Sequence, residues 1–98
     1  MFLHLGKNVV VHLEDVIAII DLNSNTRSKD TIEFIKIAEE EGFIERISDE
    51  ETKSIIIAEK VEKNRNKKRV RKSVVYFSPI SSATLCKRAG FMQDISSV

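Results

Sequence analysis

The chain predicts an α+β fold: a small antiparallel sheet with two helices and a long basic β-hairpin arm. Three observations predict it. Short β-branched runs recur at strand length, in "VVVHL", "VIAII", "TKSIII" and "VRKSVVYF". Two other stretches, "DTIEFIKIAEEEGF" and "SPISSATLCKRAGF", carry helix start and stop signals. Between the last two β-branched runs lies "KVEKNRNKKRVRK", a polar, basic connection that reads as a hairpin with a long arm, residues 59–72. Ninety-eight residues make one domain, 1–98, with a modest core that is marginal alone.

Each element follows in order. "FLHL" (2–5) reads as a strand, and Gly6 is free to take positive φ in the tight turn after it. "VVVHL" (9–13) is the partner strand. "VIAII" (16–20) is a continuous apolar run, which suggests a strand buried on both faces. Residues 21–28, "DLNSNTRS", are a loop by composition. Helix 30–41 opens with Asp30 and Glu33 as a capping box. Its inward stripe is Ile32, Ile35 and Ala38, flanked by Phe34 and Ile37. Gly42 stops it, and Phe43 can fold back on the last turn. Residues 43–47 suit a short exposed strand, and "SDEE" a turn. Strands 52–62 and 70–77 flank the basic stretch, where Asn64 and Asn66 tolerate a turn. Ser78 can cap a helix over 79–89 with Pro79 at its first position. Ile80, Ala83 or Thr84, and Leu85 would face inward, with Lys87 and Arg88 at the favourable end of the dipole. Residues 92–98 read as a frayed tail.

The formal net charge of +1 hides a segregation. Residues 1–58 carry 6 Lys or Arg against 12 Asp or Glu, and residues 59–72 carry 8 against 2. Charge divided in this way bears on partners more than on fold. The apolar runs are far short of a membrane span. The start "MFLHLGKN" lacks the basic and apolar regions of a signal peptide. One cysteine, Cys86, forms no internal disulfide and suits a reducing cytoplasm.

Catalysis finds little support. His4 and His12 lie in strands with no Cys or carboxylate at metal-ligand spacing, so surface imidazoles are the simpler reading, and neither metal nor cofactor is expected. Cys86 beside Lys87 reads as a small buried hydrophobe before it reads as a nucleophile. The glycines are isolated, so no phosphate-cradling loop exists. Ser81, Ser82 and Thr84 at a helix N-terminus could meet phosphate, but capping explains them as well.

The basic stretch differs in degree. Strand alternation would put Lys67, Arg69 and Arg71 on one side and Lys68 and Lys72 on the other. A two-stranded ribbon of that kind can lie in a groove or along a phosphate backbone. A solvated loop, or a contact with an acidic protein surface, remains open beside polyanion binding. Only Tyr76 and Phe77 are aromatic nearby, which disfavours single-strand stacking.

Four stretches, "MFLHLGKNVVV", "DVIAIIDL", "TKSIII" and above all "VVYFSPISSATLCKRAGFM", resemble the extracellular-matrix regulatory protein family, the Rem proteins. Tyr76, Ser78, Pro79, Ser81, Ser82, Thr84, Leu85, Lys87, Arg88, Ala89 and Phe91 resemble its B branch. The resemblance implies a small α+β protein of the bacterial cytoplasm. It also implies kinship with A-branch regulators that bind DNA at biofilm-matrix genes and assemble into rings. In that branch arginines just before two strands contact DNA. Here those places hold Glu50 and Glu51 before Thr52, and Asp15 before Val16; only Lys53 keeps its sign. Carboxylates repel phosphate, so the A-branch surface does not carry over.

The expectation is therefore a non-enzymatic nucleic-acid-binding regulator of transcription, acting as a homo-oligomer. Its contacts would be Lys63, Arg65, Lys67, Lys68, Arg69, Arg71 and Lys72, with Lys53. DNA and further copies of the chain would be its partners; no membrane or small-molecule substrate is evident. The rival is an oligomeric structural or adaptor protein that binds protein only.

Overall fold

The computed structural model describes residues 1–22 and 29–90. Most of the expected loop at 21–28 and all of the expected tail at 92–98 lie outside the described residues.

A two-stranded antiparallel sheet, β1 (Phe2–Gly6) and β2 (Val9–His12), opens the chain. Its turn needs positive φ at Gly6 (126°) and Lys7 (46°). Only glycine takes the first angle readily, and a Cβ there would sit 3.2 Å from Ile47 Cγ2. A 3-10 turn, Leu13–Asp15, leads into β3 (Val16–Asp21). Then come α1 (Lys29–Glu41), β4 (Ile44–Arg46), β5 (Ser54–Lys63), β6 (Arg69–Ser78) and α2 (Ser82–Ala89).

The second sheet has the order β3-β5-β6-β4. It is mixed, not purely antiparallel: β4 runs parallel to β6, with Ile44 opposite Val75 and Arg46 opposite Phe77. The reason is the connection. Helix α1 carries the chain from β3 to β4 at the opposite edge, and a helical crossover is what parallel strands need.

Residues 54–58 of β5 and 74–78 of β6 occupy the centre and are covered on both faces. On one face Ile56, Ala58 and Tyr76 pack with Leu3, Leu5 and Val11 of the small sheet and with Leu85 and Ala89 of α2. On the other, Ile55, Val75 and Phe77 pack against Ala38 of α1.

Several expectations need correction. The run at 16–20 is an edge strand, half-buried, with Ile17 59 % exposed at a bulge. Helix α1 packs through Ala38, with Ile35 half-buried beside it, while Ile32, Phe34 and Ile37 stay exposed. Asp30 lies inside its first turn, not before it. Its C-terminus follows the glycine stop: Gly42 (φ 74°) donates to Glu39 O, and Phe43 N–H to Ala38 O at 3.0 Å. Phe43 itself remains 47 % exposed.

Helix α2 begins three residues later than expected. Ser81, not Ser78, is its N-cap, accepting from Thr84 N–H at 3.2 Å. Ser78 ends β6 instead. Its hydroxyl donates to Leu5 O at 2.6 Å and accepts from Ile80 N–H at 3.0 Å. Ala83 and Thr84 are exposed, and Cys86 is half-buried.

Candidate nucleic-acid interface

Strands β5 and β6 pair without interruption from Ser54 opposite Ser78 to Lys63 opposite Arg69. Their neighbours stop far earlier. The outermost partner of β3 is Ala58, and that of β4 is Val75. Beyond these points the hairpin continues as a ribbon with no strand on either edge among the described residues, and nearly every residue is exposed.

The tip is a defined turn. Asn64 O accepts from Lys67 N–H at 2.9 Å, and Asn64 N–H donates to Lys68 O at 3.0 Å. The Asn64 side-chain oxygen accepts from Asn66 N–H and Lys68 N–H, both at 3.0 Å. Lys67 closes the turn with φ 60°. This arrangement, a tight turn followed by one left-handed residue, is a common three-residue hairpin loop. Glycine or asparagine suits the left-handed position; a residue with a bulky Cβ substituent there costs about 1–2 kcal/mol.

Of the eight cations between residues 60 and 72, three are engaged. Arg71 lies 3.8 Å from Glu59, and Lys72 lies 3.7 Å from Glu62. Lys60 lies over the Tyr76 ring, 5.9 Å from its centroid. Its amine is raised above the ordinary 10.5, first by the hydrogen bond to Tyr76, then by that group's charge, with Glu45 and Glu62 adding and burial opposing. Within the ribbon the ion pairs are those of Arg71 and Lys72. Lys63, Arg65, Lys67, Lys68 and Arg69 therefore have no carboxylate partner.

The register opposes two like-charged pairs: Lys60 with Lys72, and Lys63 with Arg69. Such pairs cost a few tenths to about 1 kcal/mol. Glu62 and Tyr76 relieve the first pair; nothing comparable relieves the second.

The expected residues thus divide. Seven of them, Lys63 to Lys72, share the ribbon. Lys53 does not: it precedes β5, at the opposite end of a ten-residue strand, about 30 Å from the tip. The expected sides hold only from Arg69 onward, with Arg69 and Arg71 on the α1 face and Lys72 on the other. Lys67 and Lys68 belong to the turn. Tyr76 and Phe77 are buried, so neither offers a stacking platform. The two A-branch places are also separated. Asp15 adjoins the end of β3 that pairs Ala58, and Glu50 and Glu51 lie near the end that pairs Ser54, about 20 Å away.

Other candidates are occupied by structural duties. Ser81 and Thr84 bond each other at 2.9 Å within the cap. The His4 ring contacts Lys7 O, and the His12 ring meets Phe2 at 4.4 Å. An open groove of about 660 Å³ beside β4 sets Glu41, Glu45 and Glu62 against Lys60, Arg71 and Lys72, so it presents no net sign to an anion. Among the described residues no His, Cys, Asp and Glu cluster could hold a metal, and no helix is long and apolar enough to cross a membrane.

Sequence reasoning missed Asn64 as the staple of the turn and Glu59 and Glu62 as partners of the inner cations. Both depend on register, which residues 60–72 alone do not specify.

The sequence model described as "Extracellular matrix regulatory protein A-like" (RemA-like) matches residues 2–89. "Extracellular matrix regulatory protein B" of Bacillus subtilis (strain 168) is 32% identical over 97 residues, covering 99% of this chain and 100% of that protein. The stretch from Tyr76 to Phe91 carries the B-branch resemblance; its described part is the end of β6, the Ser81 cap and helix α2, and Phe91 lies outside the described residues. With a match across both sheets and both helices, the chain belongs to the extracellular matrix regulatory protein family.

Proposed function

We propose that this protein is a DNA-binding regulator of matrix gene expression that works as a homo-oligomer, with the basic hairpin as its DNA-gripping arm. One observation carries the reading. Among the described residues, a ribbon with no strand on either edge ends in five cations that no carboxylate offsets, on a chain whose first 58 residues are net acidic. A solvated tether needs neither an ordered turn nor such a charge concentration. Phosphate supplies the missing counter-charge, and a two-stranded ribbon fits a duplex groove.

Self-association is supported by surfaces away from the arm. Among the described residues β3 is an edge strand of its sheet, with Ile17 exposed; Ile32 and Ile37 of α1 and Phe43 are also exposed. Open edges and unburied apolar side chains invite a second copy.

The test is retention of a labelled mixed-sequence duplex by the purified protein as salt is raised. Binding should weaken linearly in log K against log salt. Replacing Lys67, Lys68 and Arg69 together by Ser should remove most of it while leaving the oligomer intact. Parent and variant binding alike would make the ribbon a tether, and a parent that retains no duplex would favour a protein-only adaptor.

A further inference from the structure

The tip of the hairpin carries two features that folding disfavours. Lys67 takes φ 60°, a position suited to glycine or asparagine. Lys63 stands directly opposite Arg69, with no carboxylate at salt-bridge distance from either. Both conflicts sit within three residues of the turn's apex, and both have the same content: positive charge kept where the backbone or the pairing argues against it. Local choices that oppose the fold tend to mark functional positions.

The inner ribbon is arranged differently. A phosphate approaching Arg71 meets Glu59, 3.8 Å from the guanidinium, and one approaching Lys72 meets Glu62, 3.7 Å from the amine. Lys60 is turned over Tyr76. These exposed pairs add little stability, but their carboxylates cancel the local field and repel an incoming anion. Each joins one strand to the other diagonally across a face.

Resting on the DNA-binding reading above, we infer that the phosphates of duplex DNA are taken by the five tip cations, Lys63, Arg65, Lys67, Lys68 and Arg69. Arg71 and Lys72 are charge-balanced by Glu59 and Glu62 and take no phosphate. The basic stretch is therefore two functional units: a gripping tip and a charge-balanced stem.

The experiment is a fluorescence-anisotropy titration of a fluorescein-labelled duplex of mixed sequence, repeated across a salt series, with circular dichroism as a folding control. Five contacts give a log–log slope of about −4.5 for each engaged arm, so affinity falls roughly 500-fold between about 50 and about 200 mM salt. Lys67→Gly suits the left-handed position, keeps the turn, and should flatten the slope by about 0.9. Lys63→Ser with Arg69→Ser should flatten it by about 1.8. Arg71→Ser with Lys72→Ser should leave it unchanged. Glu59→Gln with Glu62→Gln frees both stem cations and should steepen it, by as much as about 1.8.

Equal flattening by the tip pair and the stem pair would overturn the division while leaving DNA binding in place. So would a Lys67→Gly protein with the parent slope. A parent that binds no duplex at any salt would remove the DNA reading itself, and the division with it.

Discussion

Ser54 and Ser78 face each other across β5 and β6, and both are fully buried. Neither is an orphan. Ser54 donates to Ile80 O at 2.7 Å, while Ser78 joins Leu5 O to Ile80 N–H. The two hydroxyls tie the small sheet and the approach to α2 onto the end of the central hairpin. Ser78→Ala would leave a buried carbonyl and an N–H without this partner, a loss of about 1–3 kcal/mol. Urea unfolding should show a lower midpoint with little change in slope; an unchanged midpoint would mean that water or a backbone shift replaces the hydroxyl. Nothing local reveals this role. A serine before a proline and two further serines reads equally as a helix cap, and the partner that decides the matter lies 73 residues away. The same limit hid the ion pairs of Arg71 and Lys72, which exist only in one register.

Among the elements, those with strong local chemistry were legible. The stop of α1 at Gly42 and the extent of β5 and β6 follow from a residue needing positive φ and from runs of β-branched side chains. What periodicity could not supply was how many faces each element covers. The run at 16–20 is apolar enough for a central strand but lies at the edge, and α1 presents more apolar surface than its sheet accepts. The hairpin turn has a separable prediction. Asn64→Ala removes an acceptor shared by two backbone N–H groups. Because the tip lies outside the core, global unfolding should shift little. Amide exchange at Asn66 and Lys68 should nonetheless quicken severalfold, in line with a loss of roughly 1 kcal/mol. Unaltered exchange there would show that the backbone bonds of the turn suffice alone.

The whole molecule combines an acidic body with a basic projection, and spans 46 × 30 × 26 Å. Exposed Ile17, Ile32, Ile37 and Phe43 lead to an expected closed homo-oligomer at micromolar concentration; light scattering that returns the 11.2 kDa mass of one chain would contradict it. The long axis also separates contact from field. Glu50→Arg with Glu51→Arg reverses charge about 30 Å from the tip, well beyond the roughly 8 Å screening length at physiological salt. Duplex binding should tighten at low salt and return to the parent value near 0.15 M, roughly the physiological ionic strength. Tightening that survives at the higher salt would show that DNA reaches the Lys53 end of the sheet as well.

The unbroken pairing from Ser54–Ser78 to Lys63–Arg69 makes the hairpin a cantilever, clamped in the core at one end and carrying its cations at the other. Its side chains alternate with a period of two, so its length has a phase. Lengthening both strands by one residue between core and tip would carry the tip outward by about 3.4 Å and turn its faces over. Lengthening both by two would restore the faces about 7 Å farther out. Duplex affinity measured against added length should then fall and recover, not decline steadily. The same clamp means that copies joined through their bodies would hold their tips at a fixed spacing; under the DNA-binding proposal such an assembly would act as a ruler along the duplex.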